Sequence, residues 1–335
     1  MKKAFATPIL QRLARRAGVK VVMEPVYKYA GQIILPDGTK HYFLRTNFDL
    51  NPLGASEIAK DKSYAAFFLQ RMGYPIIEGE SFFSPEWAEA IKIRRDPEAA
   101  YRYAKKIGFP VIVKPNSLSQ GVGVAKVCNK REFMQAVKAI CIKDRVFLVQ
   151  REVKGRDYRV VILDDEVVSA YERLPLSVRG DGVSTIAQLI QKKQEEFVRA
   201  SRDTNIKQDD IRITNCLKRL GYNRESVLPK EERVALLDNR NLSSGGEAVD
   251  VTSEIHHSFA KLCITITRDM GLRYCGVDLM VDGDIRQPAA KYWVIEINAA
   301  PGIDNYASTG REQEKVVEKM YLKVLRAIAK KRPVV

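Results

Sequence analysis

The sequence predicts an α+β fold in which helices and strands are interspersed, and three local patterns carry that prediction. Residues 276–281 place apolar side chains at every second position, which is the period of a strand with one buried face. Residues 133–140 carry Phe, Ala, Val and Ile at positions i, i+3, i+4 and i+7, the spacing of one helical face. Residues 36–38, Pro-Asp-Gly, separate two apolar segments and predict the turn of a hairpin.

The N-terminal half is predicted to begin with a small domain. Residues 1–55 combine a basic helical segment with the predicted hairpin, and we interpret them as a separate N-terminal unit. A helix is then expected from about Ser56, a good N-cap, to Gly73, a residue type that ends helices. Strands and a helix alternate from about residue 100 to 170 and form the first part of a larger domain, residues 56–335.

The second part of that larger domain, from about residue 171 to 335, contains a segment of different composition. Residues 185–235 are polar, charged and helical in pattern, so we expect a helical insertion or lid that offers little core. Strands are predicted at 276–281 and 292–298, and an amphipathic helix from about 312 to 330 closes the chain.

Charge and cysteine content narrow the functional classes. The 335 residues carry 56 basic and 41 acidic side chains, a formal charge of +15, which favours an anionic partner such as phosphates, an acidic substrate or nucleic acid. Nucleic acid is the weaker expectation, because the basic segments lack interleaved aromatic residues on which bases stack. The five cysteines have neither metal-binding nor disulfide spacing. Since no apolar segment of 18 residues or secretory signal is recognisable, we predict a cytoplasmic protein without a membrane partner.

Two candidate metal ligands, Glu296 and Asn298, lie near the end of the strand predicted in the segment YWVIEINAAPG, residues 292–302. Strand alternation predicts that Glu296 and Asn298 share one face with Val294, while the residues between them occupy the other face. Carboxylate and amide oxygens are the ligands that magnesium prefers. The alternative is a half-buried strand with a solvated polar face, and this segment alone does not decide between the two.

Asp278 repeats this logic on a second predicted strand. Because the valines and the leucine of GVDLMV face one way, Asp278 points to the opposite face, where a neighbouring strand would add Glu296 and Asn298. Alone, Asp278 is better explained as a solvated acid at a strand end. Three oxygen ligands on two strands favour a metal site.

Lys114 and the loop that follows it form a candidate anion site. The segment VIVKPNSLSQGVGV, residues 111–124, places Lys114 at a strand end and Gly121 and Gly123 in the loop. Glycines let backbone N–H groups close on an anion, and lysine supplies a compact positive charge for phosphates. The lysine precedes the glycines, so the segment is not a P-loop, and a simple surface turn is the alternative.

A candidate nucleotide-binding linker lies in FLVQREVKGRDYRVVIL, residues 147–163. Its apolar strands could sandwich an aromatic base, and linker backbone groups could read the edge of that base. Asp157 and Arg159 are two residues apart and share a strand face. An ordinary crossover with a surface ion pair would have the same pattern.

The order of these motifs resembles the ATP-grasp ligases, and most closely the ATP-grasp portions of cyanophycin synthetase and bifunctional glutathione synthetase. The resemblance covers about residues 55–310. It implies an ATP-grasp fold, in which two α/β subdomains with antiparallel sheets sandwich ATP, here preceded by a small truncated N-terminal domain. Residues 100–170 would be the ATP-binding lid subdomain, and residues 171–335 the metal and substrate subdomain. The motifs are AKDKSY, VIVKP, LVQREVKGRDYR, RGDGVSTI, NLSSGGEAVDVT, GVDL and EINAAPG.

The resemblance also implies which residues act in the site. Two lysines and the glycine-rich loop would bind the phosphates of ATP, the linker would line the adenine, and an aspartate would hold the ribose. Three oxygen-bearing side chains would bind two magnesium ions, with manganese as the alternative metal, and two arginines would hold the acceptor carboxylate or stabilise the developing oxyanion. The lysines are Lys62 and Lys114, and the loop residues are Ser117, Ser119, Gly121 and Gly123. The linker residues are Gln150, Arg151 and Val153, and the ribose-binding aspartate is Asp157. The metal ligands are Asp278, Glu296 and Asn298, and the arginines are Arg159 and Arg179.

Two of the departures from the family pattern bear on the function. Gln150 stands where this subgroup usually has an acidic residue, although an amide oxygen can still accept a hydrogen bond from the adenine amino group. The sequence also lacks the additional ligase domains that accompany the ATP-grasp portion in both named enzymes, so we expect a single ligation.

The implied reaction is phosphorylation of a carboxylate to an acyl phosphate, followed by attack of an amine to form an amide with release of ADP and phosphate. Amino acids or short peptides would be the substrates, and the enzyme would form a homodimer or homotetramer. Two alternatives stay open: addition of amino acids to the terminus of a protein or peptide, and a degenerate ATP-grasp module whose basic surface binds nucleic acid.

Overall fold

The computed structural model describes residues 7–200, 202, 204–302, 304–307 and 310–330. Within these residues helices and strands are interspersed, and the strands form four sheets whose neighbouring strands all pair antiparallel. The predicted α+β class is therefore confirmed. Among the described helices, none combines the length and apolar character that a membrane crossing requires.

The N-terminal segment forms a four-stranded meander. The predicted turn joins its second and third strands: Gly38 adopts a φ of 82°, and its N–H donates to the carbonyl of Leu35. The hairpin prediction is confirmed. The strands are β1 (Lys20–Met23), β2 (Ala30–Ile34), β3 (Lys40–Leu44) and β4 (Asn47–Phe48), and they follow α1 (Thr7–Leu13) and a 3₁₀ turn (Ala14–Ala17).

The single helix predicted from Ser56 to Gly73 is instead two helices, α2 (Leu53–Lys60) and α3 (Lys62–Arg71). Asp61 between them is extended, and its carboxylate accepts hydrogen bonds from the first N–H groups of α3. The prediction was wrong because an aspartate that satisfies these unpaired groups starts a new helix rather than continuing the old one. Lys62 thereby lies at the start of α3.

An α/β layer follows, built on a sheet that we call the upper sheet. One face of this sheet packs on two helices, and the predicted helical face of Phe133, Val137 and Ile140 is buried there. Lys114 and Gln150 belong to the opposite face. The strands of the upper sheet are, in spatial order, β5 (Gly79–Phe83), β8 (Val146–Arg151), β6 (Val111–Pro115) and β7 (Ala125–Val127), and the helices are α4 (Pro85–Ala90), α5 (Pro97–Ile107) and α6 (Lys130–Cys141).

A five-stranded antiparallel sheet, the lower sheet, carries most of the candidate site. Its strands are, in spatial order, β13 (Glu247–Asp250), β10 (Glu166–Leu174), β9 (Arg156–Leu163), β14 (Tyr274–Val281) and β15 (Tyr292–Asn298). One face packs on α9 (His257–Asp269), where Val277, Leu279 and Val281 are buried as predicted. Asp278 therefore points to the face that α9 leaves uncovered.

A β-bulge changes the predicted facing of β15. Glu296 pairs with Asp278, but Val294 pairs with Leu279, so Ile295 is an extra residue in the strand. Val294 is consequently buried with Leu279 on the α9 side, and Ile295 turns toward the same side as Glu296. The prediction that Val294 shares a face with Glu296 was wrong, because one inserted residue reverses the alternation beyond it.

Residues 176–246 form a third unit, which we call the insertion. It contains the predicted helices, but it also has an apolar core of its own, to which residues of both α7 and α8 belong. The expectation of little core was wrong because the apolar stripes of these two amphipathic helices are buried in one cluster with residues of the neighbouring strands and loops, such as Val178 and Leu228. The elements are β11 (Ser177–Arg179), α7 (Ile186–Arg199), α8 (Ile211–Arg219), β12 (Arg233–Ala235) and a 3₁₀ turn (Leu242–Ser244).

The meander shares its core with the C-terminal end of the chain. That end forms α10 (Asp304–Ala307) and α11 (Arg311–Ala329), which confirms the predicted closing helix. Phe48 of the meander makes edge contacts with Tyr274 of the lower sheet and Tyr321 of α11, with ring centroids 5.9 and 5.8 Å apart. The boundary predicted near residue 55 therefore separates segments that share one hydrophobic core.

Asn51 connects the N-terminal segment to the lower sheet through four hydrogen bonds. Its Oδ1 accepts from the N–H groups of Arg273 and Tyr274 at 2.8 and 2.9 Å. Its Nδ2 donates to the carbonyls of Tyr274 and Ala299 at 2.7 and 2.8 Å. Because Ala299 follows Asn298, this one side chain helps to fix the end of the strand that carries the candidate metal ligands.

We expect Asn51→Ala to lower the free energy of unfolding by about 3 kcal/mol, because it removes four hydrogen bonds and leaves part-buried backbone groups unpaired. Asn47→Ala is the matched control in the same segment, since Asn47 makes one exposed bond to the carbonyl of Leu44, and it should cost less than about 1 kcal/mol. Urea denaturation followed by circular dichroism measures both. Equal losses would contradict the role given to Asn51.

Candidate functional site

The uncovered faces of the upper and lower sheets enclose a cavity of about 390 Å³. The upper sheet contributes Ile112, Lys114 and Gln150, and the lower sheet contributes residues from β9, β10, β14 and β15. The insertion closes one side, and Lys62 enters from α3. The lower-sheet residues that line the cavity are Asp157, Arg173, Asp278, Met280, Ile295 and Glu296.

Two lysines face the acidic side of the cavity. Lys114 is 6 % exposed, and this burial lowers its pKa to about 8, although Glu296 opposes the shift. The ammonium of Lys62 donates to the carbonyl of Leu118 at 2.8 Å and lies 3.6 Å from Oε2 of Glu296. The structure therefore brings both sequence-predicted phosphate-binding lysines together.

Asp278, Glu296 and Asn298 form a polar row on β14 and β15. Asp278 and Glu296 are direct cross-strand partners, and the amide nitrogen of Asn298 donates to Oε1 of Glu296 at 3.2 Å. Burial raises the pKa of Glu296, but Lys62, Lys114 and Arg159 outweigh that effect and lower the pKa to about 2. Glu296 is therefore ionised at neutral pH.

Two arginines, Arg173 buried and Arg159 largely buried, hold the acids of the lower sheet in place. Arg159 binds Asp278 with two parallel hydrogen bonds of 2.7 Å, and Arg173 lies 3.0 Å from the same carboxylate. Burial works against the charged form of Arg159, but the Asp278 carboxylate raises its pKa above the usual range. Arg173 also donates twice to Oδ1 of Asp157, at 2.9 and 2.6 Å.

Arg173 is a site residue that the sequence analysis missed. It lies directly opposite Asp157 in the β9–β10 hairpin, whose turn is at Asp164 and Asp165. Counting the hairpin register outward from that turn would have paired Asp157 with Glu172, because a bulge in β10 between Val167 and Ser169 shifts the true register by one. Local sequence patterns do not reveal that shift.

The two predicted catalytic arginines lie in different places. Arg159 is behind Asp278, which occupies its guanidinium, so its position fits the orientation of Asp278 rather than contact with a substrate. Arg179 is on β11 in the insertion, is exposed and pairs with Glu231. It lines a separate cleft, so the structure does not bring Arg179 to the cavity.

The phosphate-binding residues predicted in the glycine-rich loop, residues 117–124, do not all line the same cavity. Ser119 and Gly121 line the cavity. Gly123 lines a neighbouring cavity of about 490 Å³ on the other side of the loop. Ser117 binds the carboxylate of Asp144 through its N–H and hydroxyl, at 2.9 and 2.8 Å, and lies away from both. Gly121 and Gly123 both have a positive φ, near 70°, which suits glycine.

The linker between the sheets lines the cavity with Gln150, Arg151 and Val153, as the sequence predicts. Gln150 is 7 % exposed, yet its amide makes no hydrogen bond to any residue that the structure describes. Glu152 and Lys126, which the sequence analysis did not select, form an ion pair of 2.6 Å beside it. A buried amide without a protein partner is suited to a ligand that both donates and accepts.

The polar row fits a hard cation by its chemistry. Glu296 accepts only the bond from Asn298 among the described residues, so most of its lone pairs are free, and the amide oxygen of Asn298 is free as well. Three donor contacts engage the carboxylate of Asp278, which leaves about one of its four lone-pair sites. Two carboxylates and an amide match the ligand preference of magnesium.

The chain is similar to parts of two larger biosynthetic enzymes. Cyanophycin synthetase of Synechocystis sp. is 34 % identical over 256 residues, which cover 73 % of this chain and 28 % of that protein. The glutathione biosynthesis bifunctional protein of Pasteurella multocida is 31 % identical over 278 residues, which cover 78 % of this chain and 35 % of that protein. The chain thus spans about a third of the length of these relatives.

Structural comparison agrees with this result. The crystal structure of a bifunctional glutathione synthetase from Pasteurella multocida superposes with a TM-score of 0.59 and 25 % sequence identity, covering 96 % of this chain and 44 % of that one. Residues 68–236 match the family model described as the D-Ala-D-Ala ligase C-terminus, and residues 229–319 match the RimK-like ATP-grasp domain. The chain belongs to the ATP-grasp family of ligases.

Proposed function

We propose that this chain catalyses the ATP-dependent formation of an amide bond between a carboxylate and an amine of amino acid or short-peptide substrates. The observation that carries the proposal is one cavity in which Lys62 and Lys114 face Asp278 and Glu296, with Asn298 hydrogen-bonded to Glu296. Phosphoryl transfer depends on positioning and on neutralised charge more than on a covalent protein nucleophile, and this arrangement supplies both.

In the proposed reaction a carboxylate oxygen of the first substrate attacks the γ-phosphorus of ATP, which forms an acyl phosphate and releases ADP. The amine of the second substrate then attacks the acyl carbon, loses a proton and displaces inorganic phosphate. Lys62 and Lys114 would balance the negative charge of the phosphates during the first step. Arg159 would act indirectly, by holding Asp278 in position.

The metal role follows from the family and from the polar row. ATP-grasp ligases use ATP and magnesium. We propose that Asp278, Glu296 and Asn298 hold magnesium, which when bound would neutralise charge on the phosphates of ATP. Two ions per site, and manganese as a substitute, stay predictions.

The remaining groups of the cavity suit the nucleoside part of ATP. Both bonds from Arg173 go to Oδ1 of Asp157, so Oδ2 is left for a ribose hydroxyl. Gln150, Arg151 and Val153 would surround the base, with the Gln150 amide as an unpaired donor and acceptor. We propose this end of the cavity as the adenosine site.

The alternative of a degenerate nucleic-acid-binding module has less support, because both lysines and the carboxylates of Asp278 and Glu296 line the internal cavity rather than the protein surface. Addition of amino acids to a protein terminus would use the same chemistry with a larger acceptor, and it stays an alternative within the proposal. Assembly as a homodimer or homotetramer and a cytoplasmic location stay predictions.

Glu296→Gln is expected to lower the rate of ADP formation at least about 100-fold, because it removes a charge at the phosphate end while keeping the shape of the side chain. Circular dichroism should show an intact fold. Glu152→Gln is the matched control at the linker end of the same cavity, and it should change the KM for ATP more than kcat. Near-normal turnover of Glu296→Gln would reject the metal assignment.

Hydroxylamine is expected to divert the reaction to a hydroxamate, because an acyl phosphate reacts with this nucleophile in place of the amine substrate. Screening amino-acid pairs for phosphate release identifies a substrate carboxylate first. The hydroxamate is then measured by mass spectrometry beside ADP, with ATP omitted as the control. ADP formation from that carboxylate without any trapped product would argue against the intermediate.

ATP affinity should fall as pH rises above about 8, because the pKa of Lys114 is lowered to about 8 in the nucleotide-free protein and the neutral amine does not attract phosphate. Below that pH the ammonium is present and binding should be constant. Lys114→Arg keeps its charge and should flatten the profile. Calorimetric titration with ATP in EDTA, across about pH 7 to 9.5, tests this; identical profiles for both proteins would refute it.

A further inference from the structure

The glycine-rich loop separates two cavities and lines both of them. Leu118, Gln120, Gly121 and Val124 line both the cavity of about 390 Å³ between the sheets and the cavity of about 490 Å³ that faces the insertion. A loop with a cavity on each side has few packing contacts to define its shape. Its conformation therefore depends on the hydrogen bonds that hold it.

Side chains from three separate elements bind the carbonyls of this loop. Arg212 Nη1, on α8 of the insertion, donates to the carbonyls of Gly121 and Val124 at 3.2 and 3.4 Å. The hydroxyls of Ser243 and Ser244 donate to the carbonyl of Gln120 at 3.0 and 3.3 Å. Lys62 donates to the carbonyl of Leu118. The loop is thus held from its carbonyl side.

Two successive N–H groups of the same loop are left available. Those of Gln120 and Gly121 have no hydrogen-bond acceptor among the residues that the structure describes. Successive free N–H groups in a loop with glycine at positive φ are the arrangement that binds anions. Holding the loop by its carbonyls therefore leaves these two N–H groups for phosphate.

The guanidinium of Arg212 is held in one orientation toward the loop by a neighbouring carboxylate. Asp210, which caps α8, accepts from Nε of Arg212 at 3.0 Å and from Nη2 at 2.6 Å, so only the Nη1 end of the guanidinium reaches the loop. The approach is close: a Cβ atom on Gly121 would lie 2.7 Å from Oδ1 of Asn241. A side chain at position 121 would therefore force the loop away from the insertion.

We propose that Arg212 is a positioning residue that holds the glycine-rich loop in its phosphate-binding shape before ATP arrives. This inference rests on the proposed function, and it gives the insertion a part in the reaction. Fixing the loop in advance reduces the conformational entropy that ATP binding would otherwise have to offset. The benefit applies to the phosphates that the loop covers, not to the base or ribose.

Comparison of ATP with AMP tests this distinction in the full chain. AMP has the same base and ribose as ATP but lacks the two outer phosphates. In Arg212→Gln the Kd for ATP should rise about tenfold, which corresponds to the loss of one hydrogen-bonded charged group, while the Kd for AMP should change less than about twofold. Arg233→Gln is the matched control, because Arg233 lies in the same unit as Arg212 but binds Ser177 and Glu247 rather than the loop.

Hydrogen exchange of residues 118–124 in the nucleotide-free protein gives a second, independent readout. Exchange should be faster in Arg212→Gln than in the wild type and unchanged in Arg233→Gln. Equal weakening of ATP and AMP, or an unchanged exchange rate, would overturn the inference. If the wild type binds ATP no more tightly than AMP, the proposed function fails instead, and the exchange measurement still decides whether Arg212 holds the loop.

Discussion

The contact on which the site depends is the buried pairing of Asp278 with Arg159 and Arg173. Asp278 is 1 % exposed, and a buried carboxylate is tolerated only when cations and hydrogen bonds compensate the lost hydration. The fork of Arg159 and one nitrogen of Arg173 provide that compensation. Because Arg173 also binds Asp157, one network spans β14, β9 and β10 and fixes the proposed metal end and the proposed ribose end of the cavity relative to each other.

The parts of the fold that depend on neighbouring residues could be predicted from the sequence. The hairpin at Gly38, the buried face of α6 and the alternation of β14 all follow from spacing within a few residues. The bulge at Ile295 could not be predicted, since an extra residue is recognised only against the register of the partner strand. The break at Asp61 had a local signal, because aspartate is a strong N-cap, but continuous helical periodicity on both sides concealed it.

The residues of the candidate site likewise include some that the sequence could predict and some that it could not. Lys62, Lys114 and the row on β14 and β15 were identified from motifs. The structure brings both lysines, Asp278 and Glu296 to one cavity, and Asn298 binds Glu296. Arg173 and Arg212 were missed because each acts through a partner distant in sequence, Asp157 and the glycine-rich loop respectively. Arg179 illustrates the opposite error. Its motif is recognisable, but the motif does not say that the strand belongs to a unit with a separate core.

Charge balance explains why such a site suits a polyanion. The network contains four cationic side chains and three anionic ones, so it carries one positive charge in excess. The four cations are Lys62, Lys114, Arg159 and Arg173, and the three anions are Asp157, Asp278 and Glu296. The arginines are already paired with acids of the lower sheet, so the excess positive charge lies on the two lysines. Burial lowers the pKa of one of them, Lys114. The triphosphate of ATP would bring more negative charge than two lysines can neutralise. That imbalance in turn favours a divalent cation at Glu296 and Asn298, so the anion and the metal each supply the charge that the other requires.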